Sequence, residues 1–184
     1  NDQVAAEWFA PAGLNRGGLT NVIEAKTRLT RAERDELYEG RVNPIATFPG
    51  QGVTVFGQKT LQGKPSALDR INVARLVVYL RSQLNKLAKP YLFEPNDKIT
   101  RDEIKGAAES LMLELVGQRA LYDFLVVCDE SNNTAEVIDR NEFVADIYIK
   151  PNRSINFVQL TFVATKSGAS FGEQVGLFRR PNAA

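Results

Sequence analysis

The chain has 184 residues, 43% of them hydrophobic and 24% charged, which suffices for one domain burying about 70% of its unfolded surface. Lys and Arg total 23 against 22 Asp and Glu, so the charge balance offers no general attraction to phosphate backbones or anionic membranes. Histidine is absent and Cys128 is the single cysteine, which removes the commonest general base and metal ligand and any internal disulfide.

Residues 1–21 carry Trp8-Phe9-Ala10-Pro11 and Arg16-Gly17-Gly18 without a sustained period, and read as irregular chain pinned by aromatics. Thr30 with Glu33 forms a capping box that opens a helix, and Gly40 suits its end. Ile45–Phe48 and Val53–Phe56 are strand candidates joined through Pro49-Gly50-Gln51-Gly52. The residues 52–60 nearly spell a phosphate-binding loop, but Gln58 puts the Lys59-Thr60 pair out of register. Val53, Thr54, Val55 and Phe56 also favour a strand over an anion cradle.

A second helix is expected from Ser66 to about Ala88, with Leu76, Leu80, Leu84 and Leu87 as its apolar stripe and Pro90 as its stop. Arg70, Arg75, Arg81, Lys86 and Lys89 then form a charged outer face. Thr100 and Glu103 make a further capping box, opening a helix with the stripe Ile104, Ala108, Leu111 and Leu115 that ends near Gly117. Tyr122–Cys128 reads as a buried central strand, with Cys128 as a small buried residue at its end. Phe143 to Lys150 alternates as a half-covered strand does, and Asn156 to Thr165 alternates likewise. The fold class is therefore α+β: a mostly antiparallel sheet with packed helices, plus an extended C-terminal arm.

Asp129, Glu130, Asp139 and Glu142 gather carboxylates near a turn, but lack the spacing of a calcium loop, and solvated acids are the stronger reading. Asn132-Asn133-Thr134 and Asn152-Arg153-Ser154 match a glycosylation pattern that arises often by chance. The strands lack the aromatic pattern of an RNA-binding sheet. No apolar stretch reaches the length needed to span a bilayer. The residues thus point to no catalytic centre, cofactor or metal.

From Ser167 the composition changes. Gly168, Gly172 and Gly176 space out Phe171, Val175, Leu177 and Phe178, too glycine-rich for a helix and too apolar for a simple solvated end. Residues 1–166 are taken as the core domain and 167–184 as an arm, which orders by pairing with a partner or frays at the terminus.

Several motifs resemble, in order and spacing, the C-terminal domain of the tail sheath proteins of contractile phage tails, those of T4-like phages in particular. They are Phe48-Pro49-Gly50-Gln51-Gly52, Asp69-Arg70-Ile71-Asn72-Val73-Ala74-Arg75-Leu76, Phe93-Glu94-Pro95-Asn96-Asp97 and Val127-Cys128-Asp129-Glu130-Ser131-Asn132-Asn133-Thr134. The resemblance runs from about Trp8 to Gly176. It implies a C-terminal fragment of a longer structural protein, not an enzyme, that polymerises with itself as stacked hexameric rings around an inner tube. It also implies baseplate and tail terminator proteins as partners, no nucleic acid and no membrane insertion. The location implied is the virion tail, with assembly in the host cytoplasm. Terminal arms that add strands to neighbouring sheets are implied to link subunits, placing Phe171, Val175, Leu177 and Phe178 in the arm. An inner-radius helix is implied to touch the tube, and the charges after Thr100 (Arg101, Lys105 and Arg119) are the candidates for that contact. Sheath proteins often have two arginines after the equivalent of Asn72-Val73, where this chain has Ala74-Arg75. Only Arg75 is then expected to keep the associated role.

Overall fold

A computed structural model describes residues 5–155. The elements run α1 (Arg31–Glu39), β1 (Ile45–Phe48), β2 (Gly52–Val55), α2 (Ile71–Ala88), α3 (Lys98–Gly117), β3 (Leu121–Val127), α4 (Ala135–Asp139) and β4 (Asp146–Pro151). Short 3-10 turns at Ala67–Asp69 and Lys89–Tyr91 flank α2. β1 pairs antiparallel with β2, and β3 antiparallel with β4, among the described residues. The α+β class is as expected; the strand foreseen over 156–165 and the arm over 167–184 lie outside the described residues.

The hairpin follows from its turn. Pro49 holds φ near the value the second turn position needs, Gly50 takes φ +74°, and the Gln51 N–H reaches the Phe48 carbonyl at 3.1 Å. The irregular N-terminal chain then lies along β2. Gly13 N–H donates to Val55 O at 2.9 Å, Val55 N–H to Gly17 O at 2.8 Å, and Leu19 N–H to Val53 O at 2.9 Å. A Cβ on Gly17 would stand 2.6 Å from the Val55 carbonyl oxygen, so this close approach requires glycine.

The main core lies between α2, α3 and β3. Leu76 and Leu80 meet Ala108, Met112 and Leu115, closed by Ala120, Leu121 and Val126. Trp8 caps this cluster: its indole N–H donates to Gln118 O at 3.1 Å and its ring meets Tyr79 edge-on at 5.5 Å. Of the 3.6-residue stripes read from sequence, Leu76, Leu80, Ile104, Ala108 and Leu115 are buried, Leu84, Leu87 and Leu111 are half-buried, and Met112, wholly buried, is an unforeseen member.

Two boundaries differ from expectation, the starts of α2 and α3, while α2 ends at Ala88 ahead of Pro90 as expected. The helix after Ser66 is interrupted: Ser66 caps a 3-10 turn, Arg70 is extended (φ −124°, ψ 142°) and bridges Lys59, and only then does α2 begin. Pro90 sits in the first turn of the following 3-10 segment, where its missing N–H costs nothing. The N-cap of α3 is Asp97, not Thr100; its carboxylate accepts the Thr100 N–H at 2.9 Å, and a one-oxygen Asp cap needs no partner Glu.

β3 also differs from a strand buried on both faces. Phe124 and Val126 face the core, whereas Tyr122 and Leu125 are exposed, with a bulge between Leu121 and Asp123. β4 shows the half-covered alternation, Ile147 and Ile149 inward and Tyr148 and Lys150 outward, although it starts at Asp146, three residues after Phe143. Cys128 is 1% exposed at the strand end.

Candidate assembly surfaces

The charged positions of α3 were the sequence-derived candidates for a contact with an inner tube. Arg101 is not on an outer face: it is 7% exposed, and its Nη1 donates to both the carbonyl and the Oδ1 of Asn96 at 3.2 Å. The reason is its phase, three residues before Ile104 and seven before Ala108, on the buried stripe itself. Lys105 is half-buried and Arg119 is exposed. These two lie roughly 20 Å apart along the helix at 1.5 Å per residue, so the three cations do not form one patch.

Arg119 has a second role. It follows the helix with φ +63°, its N–H donating to Val116 O at 3.0 Å while Ala120 N–H donates to Leu115 O at 2.8 Å. This is a Schellman ending with arginine in the left-handed position. Arg41 (φ +64°) after α1 and Asn141 (φ +56°) after α4 end their helices by the same pair of bonds. Gly40, the C-cap of α1, and Gly117, the last residue of α3, mark the helix ends as expected, with the left-handed residue one and two positions further on.

The outer face of β3–β4 carries a mixed surface. Leu125 is paired across the strands with Tyr148, both exposed, and Asp123 is bridged to Lys150 Nζ at 2.8 Å. The bond from Lys150, then the Phe124 N–H, holds the Asp123 carboxyl below its usual range. The inner side leaves an apolar groove of about 490 Å³ between α2, α3 and β4, lined by Leu84, Leu87, Phe143 and Ile149 among others.

The segment after β3 is a closed polar knot. Asn133, 2% exposed, exchanges bonds with Val144: its Nδ2 donates to Val144 O at 2.8 Å and its Oδ1 accepts Val144 N–H at 2.9 Å. Asn132 Nδ2 donates to Val127 O and to Asp146. Asn132, which opens one glycosylation-like triplet, thus ties the turn to Asp146 at the start of β4, Asn133 beside it ties the turn to Val144, and Asn152 of the other triplet donates to Arg119 O and Leu121 O. Asp129 is held by Ser131, whose side chain and backbone N–H keep its carboxyl low, and Glu142 is paired with Arg140 at 2.9 Å. These acids serve separate local bonds, and no group of three potential ligands converges among the described residues.

The near-match to a phosphate loop also resolves. Val53–Val55 are strand, Asn43 grips the Lys59 backbone through both its side-chain atoms, and Lys59 Nζ donates to Tyr38 O while lying 4.1 Å from that ring. Burial raises the Cys128 thiol pKa, and its Sγ faces the Arg101 carbonyl at 3.7 Å. No helix among the described residues is long and apolar enough to cross a membrane.

The turn between α2 and α3 holds the Phe93–Asp97 motif that carried part of the resemblance, although no contact was assigned to it. Phe93 there is wholly exposed with φ +74°, an outlier for a bulky residue, and Leu92 is 64% exposed beside it. An apolar pair held between Pro90 and Pro95, outside any helical stripe, was the available signal.

The described residues form a small α+β unit whose polar clusters are taken up by its own fold. The model of the phage tail sheath C-terminal domain matches residues 63–165, and the chain belongs to that family. It is 47% identical over 175 residues to the tail sheath protein of Vibrio phage KVP40, covering 95% of this chain and 26% of that protein. It is 43% identical over 176 residues to the tail sheath protein of Enterobacteria phage T4, covering 96% of this chain and 27% of that one. The chain thus spans about a quarter of the length of these relatives. Its fold is shared with the PVC sheath complex of an extracellular contractile injection system in the contracted state, at TM-score 0.81, 24% identity, and coverage of 89% of this chain and 48% of that one.

Proposed function

We propose that this chain is the C-terminal part of a structural subunit of a contractile tail sheath. Its subunits polymerise as stacked hexameric rings around an inner tube. On triggering they rearrange as near-rigid bodies into a wider, shorter lattice that drives the tube through the host envelope. The work comes from the free energy of new interfaces; no enzymatic step or cofactor takes part. The family match over residues 63–165 carries this reading.

In this reading residues 1–166 are the core and 167–184 the exchanged arm, with Phe171, Val175, Leu177 and Phe178 as anchors in a neighbour's sheet. The exposed apolar side chains of β3–β4 and the groove behind that sheet support a surface that accepts added chain. The partners are other copies of the subunit, the inner tube protein, and baseplate and tail terminator proteins, without nucleic acid or membrane insertion. The subunit resides in the virion tail after assembling in the host cytoplasm. Lys105 and Arg119 are the tube-facing cations, with Arg101 acting by fixing the start of α3. Electron microscopy of the complete polypeptide tests the reading: hollow, striated tubes are expected, and discrete closed oligomers would favour a virion scaffold or adaptor that uses strand exchange instead.

A further inference from the structure

Open helical polymers grow through contacts between two unlike, complementary patches on the same chain, because a patch that matches itself closes into a dimer. Two such patches sit at opposite ends of α2. Beyond its C-terminal end the Leu92–Phe93 pair projects, and the projection is fixed. Leu92 N–H donates to Lys89 O and Glu94 N–H to Tyr91 O, both at 3.2 Å. Asn96 ties the turn to Glu142 O at 2.8 Å and is itself held by Arg101. A wholly exposed phenylalanine on a left-handed backbone, braced from both sides, is an outlier that a free surface does not explain.

Along the N-terminal half of α2, on the face opposite Leu76 and Leu80, Ile71, Ala74 and Val78 recur at helical spacing and form, with Tyr79, a groove of about 360 Å³. Val78 at its centre is 69% exposed. The rims carry matching charge: Lys89 and Glu94 flank the projection, and Glu7 and Arg75 line the groove.

We infer that the Leu92–Phe93 projection of one copy seats in the α2 groove of the next copy, with Lys89 facing Glu7 and Glu94 facing Arg75. This contact is distinct from strand exchange by the arm, and it rests on the reading of the chain as a subunit of a helical polymer.

The test is the critical concentration for polymerisation of the complete polypeptide, read by sedimentation, with melting curves confirming that each variant folds. Phe93→Ser and Val78→Asp, both at exposed positions, are each expected to raise it at least tenfold, and together no further than either alone. Glu7→Lys and Lys89→Glu are each expected to weaken assembly, and combined to restore it. Wild-type polymerisation by Phe93→Ser, additive effects of the first pair, or no rescue in the charge swap would overturn the inference. So would a defect in Phe93→Ser seen only when preformed tubes are present, which would assign the projection to the tube. Deletion of 167–184 separates the two contacts. If tubes survive that deletion while the charge swap still rescues, strand exchange fails and this contact stands; if the deletion abolishes tubes and the swap does not rescue, the reverse holds.

Discussion

Single residues in this domain divide sharply by what surrounds them. Met112 is wholly buried between α2 and β3, so Met112→Ala should destabilise the fold by about 2–5 kcal/mol, through lost burial and the remaining cavity. Urea denaturation checks this, as a lowered midpoint at unchanged slope. Arg119 stands in a left-handed conformation that glycine adopts freely, and its hydrogen bonds to Val116 and Asn152 run through its backbone. Arg119→Gly should therefore stabilise the domain by about 1 kcal/mol, seen as a raised melting temperature. Arg41 is the control, because its guanidinium also holds Gln62 O and Gly63 O, and glycine there loses those bonds. Arginine at both positions is a place where a local conformational cost is accepted; at Arg41 the side-chain reach accounts for it.

At the scale of elements, periodicity carries most of the fold and end signals carry the errors. The stripes of α2 and α3 were legible because leucines at 3.6-residue spacing have one way to be buried together. Arg101 lay on the same stripe but was read by its charge, not its phase, and so was placed outside. Thr100 with Glu103 mimics a cap that Asp97 in fact supplies three residues earlier, and both patterns satisfy the same local rule. The partner bonds of Asn132 and Asn133 span up to 14 residues and could not be read from local spacing, where only a glycosylation-like triplet was visible. The projection at Phe93 stayed unread because its conformation depends on tertiary braces from Glu142 and Arg101.

Helix starts also set the response to acid. The Thr100 N–H keeps the Asp97 carboxyl low, and the Thr30 backbone N–H does the same for Glu33, as the Lys150 and Ser131 bonds do for Asp123 and Asp129. A carboxyl depressed in the folded state adds stability that is complete above its unfolded pKa, near 4, and is lost as pH falls through the folded value. The melting temperature should therefore hold from neutrality to about pH 4 and decline below it. Asp97→Asn should flatten that decline by removing one titrating group while keeping a capping oxygen. A decline as steep as in the parent would show that this cap is not among the linked groups.

For the whole molecule, the polar groups that first suggested chemistry, Lys59 and Asn133 among them, are spent on the fold. The chain belongs to the phage tail sheath C-terminal domain family, and the proposed arm over 167–184 is what the whole-molecule test addresses. The measurement that bears most directly on this account is tube formation by the complete polypeptide lacking residues 167–184, set beside its melting curve. An unchanged melting transition and no tubes are expected. Unfolding of the truncated protein would make the segment part of the core, and tubes of normal striation would show that subunits are linked without it.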